Sequence, residues 1–113
     1  MVDKLQNDLK AAQLARDEIK VSTLRLLLSE IKNAQIAKNE ELSEEDLISV
    51  VQREAKKRKE AVLSFRAGGR EQSAQKEETE LAILQNYLPE ALSEALSNEE
   101  LTKIVDVVIN ELG

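Results

Sequence analysis

Ser43-Glu44-Glu45-Asp46-Leu47-Ile48-Ser49-Val50-Val51-Gln52-Arg53-Glu54-Ala55-Lys56-Lys57-Arg58-Lys59-Glu60-Ala61-Val62-Leu63-Ser64-Phe65-Arg66-Ala67-Gly68-Gly69 reads from a helix start to a helix stop without a break. Ser43 can accept hydrogen bonds from the first-turn amides, and the acids behind it sit at the positive end of the helix. Leu47, Val51, Ala55, Arg58, Val62 and Phe65 recur at helical spacing, so one member of the apolar stripe is an arginine. Gly68-Gly69 marks the end. The spacing predicts a helix over about 44–66.

On the N-terminal side there is no Gly or Pro as far as Ala67, so caps rather than breakers must separate the helices. Val2, Leu5, Leu9 and Ala12 share one face of a first helix. Asp17 is the candidate cap of a second, whose stripe is Leu24, Leu27, Leu28, Ile31 and Ala34. Asn39 to Leu42 is a polar connection. On the C-terminal side a fourth helix is expected from about Arg70 to Tyr87, with Ala74, Glu77 or Glu78, Leu81, Leu84 and Leu88 as its stripe, ended by Pro89. Ala91 to Asn98 reads as a linker. Ser97-Asn98-Glu99-Glu100 opens a last helix with Leu101, Ile104, Val105, Val108, Ile109 and Leu112 on one face.

The expected fold is therefore all-α: a four-helix bundle-like domain over residues 1–90, then a linker and tethered helix over 91–113. Composition agrees. Three Gly and one Pro in 113 residues are too few for a turn-rich β fold, and with one Phe, one Tyr and no Trp the core must be aliphatic.

Absent residue types narrow the chemistry. Without Cys or His there is no thiolate, no imidazole base and no ligand set for the usual zinc, copper or haem sites. No catalytic residue, cofactor or metal is assigned. No apolar run approaches the roughly 18 residues of a membrane span, and Met1-Val2-Asp3-Lys4 is not signal-like, so a cytoplasmic protein is expected.

Charge is segregated. Residues 40–52 carry net -5, residues 53–70 net +5 and residues 71–113 net -8, within a whole-chain charge of -6. Arg53, Lys56, Lys57, Arg66 and Arg70 are the candidate contacts for an RNA backbone or a protein partner. A solvated helix face balanced by neighbouring acids is the competing reading. Arg58 and Glu77 interrupt facing apolar stripes and are expected to pair, with Glu78 as the alternative acid; both could instead reach solvent along their apolar stems. Gly68-Gly69 is read as a helix cap rather than a phosphate loop.

Leu24-Arg25-Leu26-Leu27 with Ile31-Lys32-Asn33-Ala34, then Gln52-Arg53-Glu54-Ala55-Lys56-Lys57-Arg58-Lys59-Glu60-Ala61, Ala67-Gly68-Gly69-Arg70-Glu71, Lys76-Glu77-Glu78-Thr79-Glu80-Leu81 and Tyr87-Leu88-Pro89-Glu90 together resemble the YqeY-like family. The resemblance runs from Leu5 onward. It implies an N-terminal helical bundle and a small C-terminal helical domain, of which this sequence carries only the first helix. It also implies similarity to the helical and tail regions of the B subunit of the tRNA-dependent amidotransferase. With that comes the family's description as a carbon–nitrogen ligase using glutamine as amide donor. The amidase and the ATP site of that reaction reside in other subunits or another domain. The function expected is accordingly a non-catalytic, tRNA-contacting adaptor. The alternative is a protein–protein module with no RNA role, using the basic helix and the face of Leu101, Ile104, Val105, Val108 and Leu112 for a partner or for self-association.

Overall fold

A computed structural model describes residues 1–94. Four long helices account for most of it: α1 (Val2–Ala15), α2 (Glu18–Lys38), α3 (Glu44–Ala67) and α4 (Glu71–Gln85). The fold is all-α.

Each boundary has a local cause. Arg16 takes a left-handed conformation (φ 58°) and its N–H caps the end of α1. Asp17 then opens α2, its carboxylate accepting from the Lys20 N–H at 3.1 Å. Asn39, at φ 60°, ends α2; asparagine tolerates that conformation better than most residues. At the start of α3 the Asp46 N–H donates to Ser43 Oγ and the Ser43 N–H donates to Asp46 Oδ2, both at 3.1 Å, which completes a reciprocal capping box. Lys38 Nζ adds a 2.5 Å contact to the same Asp46 carboxylate. Gly69, at φ 77°, reverses the chain after α3, and the Arg70 N–H returns to the Phe65 carbonyl at 2.8 Å.

The helices form two antiparallel hairpins, α1 with α2 and α3 with α4. The α3–α4 seam is the most extensive, and α2 packs against both α3 and α4. Leu5, Leu24, Leu27, Ile31, Leu47, Val50, Val51, Ala55, Leu84, Tyr87 and Leu88 form one continuous core. At roughly 1.5–3 kcal/mol for each large aliphatic side chain removed from water, this burial is the main term holding the hairpins together.

Two expectations need correction at the end of α4. The helix stops at Gln85 rather than running to Tyr87, and residues 86–88 form a tight turn. That turn lets Tyr87 and Leu88 both point into the core, which a continued helix would prevent because adjacent residues diverge by about 100°. After Pro89 the chain re-enters helix at once. Residues 90–94 are helical where a linker is expected, with the Ser93 N–H donating to the Pro89 carbonyl at 2.9 Å. Proline suits that position because the first helical turn does not need its missing N–H. The rest of the expected linker, and the expected helix bearing Leu101, Ile104, Val105, Val108 and Leu112, lie outside the described residues.

Candidate functional site

Arg53, Lys56 and Lys57 are exposed and lie within about 100° of arc on α3. With Ser49, Gln52 and Glu60 they line a shallow, open groove along the outer side of that helix. Three cations against one exposed carboxylate make it a positive strip on a protein that is negative as a whole.

Arg66 and Arg70 stand apart from this groove. Arg66 lies thirteen residues beyond Arg53, about 20 Å along the helix and some 220° around it. Its guanidinium is occupied: Nε and Nη2 donate to the two Glu71 carboxylate oxygens at 3.0 Å each, and Nη2 also reaches Glu78. That double partnership holds the Arg66 proton more firmly than usual, chiefly through Glu71 and then Glu78. Arg66 thus clamps the α3–α4 corner. Arg70 occupies the N-cap position of α4, exposed, with no side-chain capping bond.

Arg58 faces inward. Its Nε lies 3.7 Å from Glu77 Oε2 and 4.0 Å from Glu80 Oε2, with all three side chains more than four-fifths covered. These separations make charge contacts rather than hydrogen bonds, and Arg58 Nε and Glu77 Oε2 are buried without a hydrogen-bond partner. Burial, followed by the hydrogen bond and charge of Glu77, pushes the Glu80 carboxyl above its ordinary value, against the opposing pull of Arg58 and Lys76. Glu78, the alternative acid for Arg58, goes to Arg66.

Three further groups escape a reading by sequence. Glu54 is 4% exposed and Lys59 is 5% exposed, both on α3. Glu54 Oε2 sits 3.0 Å from Lys57 Nζ, close enough for a strong charge contact though off the alignment of a hydrogen bond. It also borders a narrow crevice with Thr23, Leu26, Leu27, Arg58 and Leu84. The signal for Glu54 was present: it falls three and four residues after Val51 and Val50, inside the buried arc. The third group is the Asp8–Tyr87 pair, in which the Tyr87 hydroxyl donates to Asp8 Oδ2 at 2.5 Å. Lys4 Nζ stands 5.3 Å from the centre of the same ring. No local pattern links residues so distant in sequence.

Among the described residues no group of three or more Asp and Glu side chains is arranged to hold a metal ion, and no helix is long and apolar enough to cross a membrane.

Amphipathic helices with a charged seam inside and a basic groove outside define a small all-α protein. The chain belongs to the YqeY-like family: the model described as Yqey-like protein matches residues 2–113. Its similarity to curated proteins spans nearly its whole length. It is 38% identical over 109 residues to altered inheritance of mitochondria protein 41, mitochondrial, of Vanderwaltozyma polyspora, covering 96% of this chain and 58% of that one. The protein of the same name from Eremothecium gossypii is 35% identical over 109 residues, with the same coverage of 96% and 58%. That of Saccharomyces cerevisiae is 31% identical over 115 residues, covering 99% and 62%. The chain spans about three fifths of the length of these relatives. Their names correct the expectation of a cytoplasmic protein: relatives matching almost all of the chain are designated mitochondrial. Composition could not have revealed this, because compartment is written in address signals rather than in a helical core.

Proposed function

We propose that this chain is a non-catalytic helical adaptor that contacts the sugar–phosphate backbone of RNA, tRNA by the family resemblance, through the α3 groove. The observation that carries this reading is the convergence of Arg53, Lys56 and Lys57, all exposed, on one groove. Phosphate contacts need mobile, accessible cations and little else. The groove offers no aromatic side chain, so base stacking plays no part. Within this reading the ligase description of the family travels with the helical region and not with bond-making by these residues.

The test is an electrophoretic shift of tRNA by the whole chain at low and at moderate salt. Binding is expected at low salt and is expected to weaken as salt rises. Joint replacement Arg53→Glu, Lys56→Glu and Lys57→Glu should abolish the shift with helicity retained by circular dichroism. An unchanged shift in that variant would remove the groove from the reading. A different reading, protein–protein contact without RNA, draws support from Leu14 and Ile36, apolar side chains 81% and 68% exposed on α1 and α2. It predicts no tRNA shift at any salt.

A further inference from the structure

We propose that the α3 groove seats two consecutive phosphates of one strand, at Arg53 and Lys57, and that Glu54 is an internal counterion setting how strongly they are held. This rests on the adaptor reading above and sharpens it.

The footprint follows from spacing. Arg53 and Lys57 are four residues apart, a rise of about 6 Å along the helix, which is close to the repeat of phosphates along one strand. Lys56 flanks them. Ser49 and Gln52 supply neutral donors at the Arg53 end, and Glu60 puts a negative charge at the other, so the strip does not continue down the helix. With no aromatic ring in the groove, nothing there distinguishes one base from another.

The counterion follows from burial. A cation that meets a phosphate displaces mobile ions condensed on the nucleic acid, and their release supplies much of the binding free energy. Lys57 already has a covalently fixed carboxylate 3.0 Å away, and the Glu54 side chain is 5% exposed. Salt cannot wash it out and a phosphate cannot push it aside. Lys57 therefore meets RNA with part of its charge already answered, and the groove stays weaker than three lysine- or arginine-type cations imply.

The experiment is a fluorescence-anisotropy titration of the full chain with a labelled RNA stem-loop and with its stem-scrambled counterpart, from about 50 to 200 mM salt. Two to three neutralised phosphates give a slope of log affinity against log salt near -2, about a sixteen-fold loss over that range, equal for both stems. Arg53→Gln should flatten the slope by about 0.7–0.9. Glu54→Gln should tighten binding several-fold at low salt and steepen the slope, and the gain should vanish in Glu54→Gln combined with Lys57→Gln. Weaker binding by a Glu54→Gln chain of undiminished helicity overturns the counterion. Glu54→Asp, which keeps the charge but withdraws it from Lys57, gives the same answer if the glutamine variant does not fold: no tightening overturns it. A slope steeper than about -4 that ignores Arg53→Gln and Lys57→Gln places the RNA elsewhere, so the footprint falls while the adaptor reading stands. No binding of either RNA at low salt removes both.

Discussion

Arg58 on α3 and Glu77 on α4 meet across the seam of the second hairpin, Nε to Oε2 3.7 Å, both more than four-fifths covered. A second carboxylate, Glu80, stands 4.0 Å from the same nitrogen. One guanidinium thus answers two acids in a place where water does little of the work. Removing one partner from such a group costs far more than the group contributes, because what remains is uncompensated charge. Arg58→Met should lower the free energy of urea unfolding by about 3 kcal/mol. Neutralising the acids as well, with Glu77→Gln and Glu80→Gln, should restore most of that loss. A cost below about 1 kcal/mol for Arg58→Met would show that the seam is well hydrated.

Glu80 gives the seam a pH dependence of defined sign. Its carboxyl is raised above the ordinary 4.5, first by burial and then by Glu77. A raised acid favours the folded state while protonated. Its contribution is fully present below the ordinary value and is lost as pH climbs through the raised one. Glu80→Gln, which mimics the protonated form, should therefore raise the urea midpoint at pH 7 and leave it unchanged at pH 4. A lower midpoint at pH 7 would mean that the charged carboxylate is what Arg58 requires.

The helices were legible because their signals are local. The capping box of Ser43 and Asp46, the Asp17 cap and the Gly68-Gly69 stop each lie within a few residues of the boundary they define. The end of α4 was not, since the turn at 86–88 exists to bury Tyr87 and Leu88 together, a demand made by the core and not by the neighbouring sequence. The basic residues were visible as a cluster, but periodicity alone could not sort Arg53, Lys56 and Lys57, which share a groove, from Arg66, which has two acids of α4 for company. Glu54 had a local signal, its place in the buried arc after Val50 and Val51, but its partner Lys57 lies on the same helix and in the same basic run, where a charged pair is read as surface.

Tyr87 supplies a probe of the contact between α1 and the α4 exit. It is the single tyrosine of the chain, buried, and its hydroxyl donates to Asp8 at 2.5 Å. Hydrogen bonds to charged acceptors contribute about 1.5–3 kcal/mol, so Tyr87→Phe should cost about 2 kcal/mol. Asp8→Asn should cost a similar amount, and the double variant should cost much less than the sum of the two. Burial first, and Asp8 second, hold the phenol un-ionised well past its ordinary 10.0. Its contribution is therefore complete below pH 10 and is lost as pH rises through the raised value. Spectrophotometric titration should show phenolate forming only with unfolding. Phenolate at the ordinary pH in a fully helical protein would mean that the Asp8 contact is not kept in solution.

Arg66 separates a charged surface from a working one. It belongs to the same basic run as Lys56, and by charge counting the two should contribute equally to RNA binding. Geometry distinguishes them: Lys56 lines the open groove, whereas Arg66 is spent on Glu71 and Glu78 at the corner. Each phosphate contact removed should flatten the salt dependence by about 0.7–0.9. Arg53→Gln, at a phosphate-seating position that Lys56 flanks in the groove, should do so. Arg66→Gln should leave the slope unchanged and show its effect in the α3–α4 corner instead, as faster hydrogen exchange of the amides around Gly68 to Glu71. If both variants flatten the slope alike, the RNA reads the net charge of the helix, and the groove has no special claim on it.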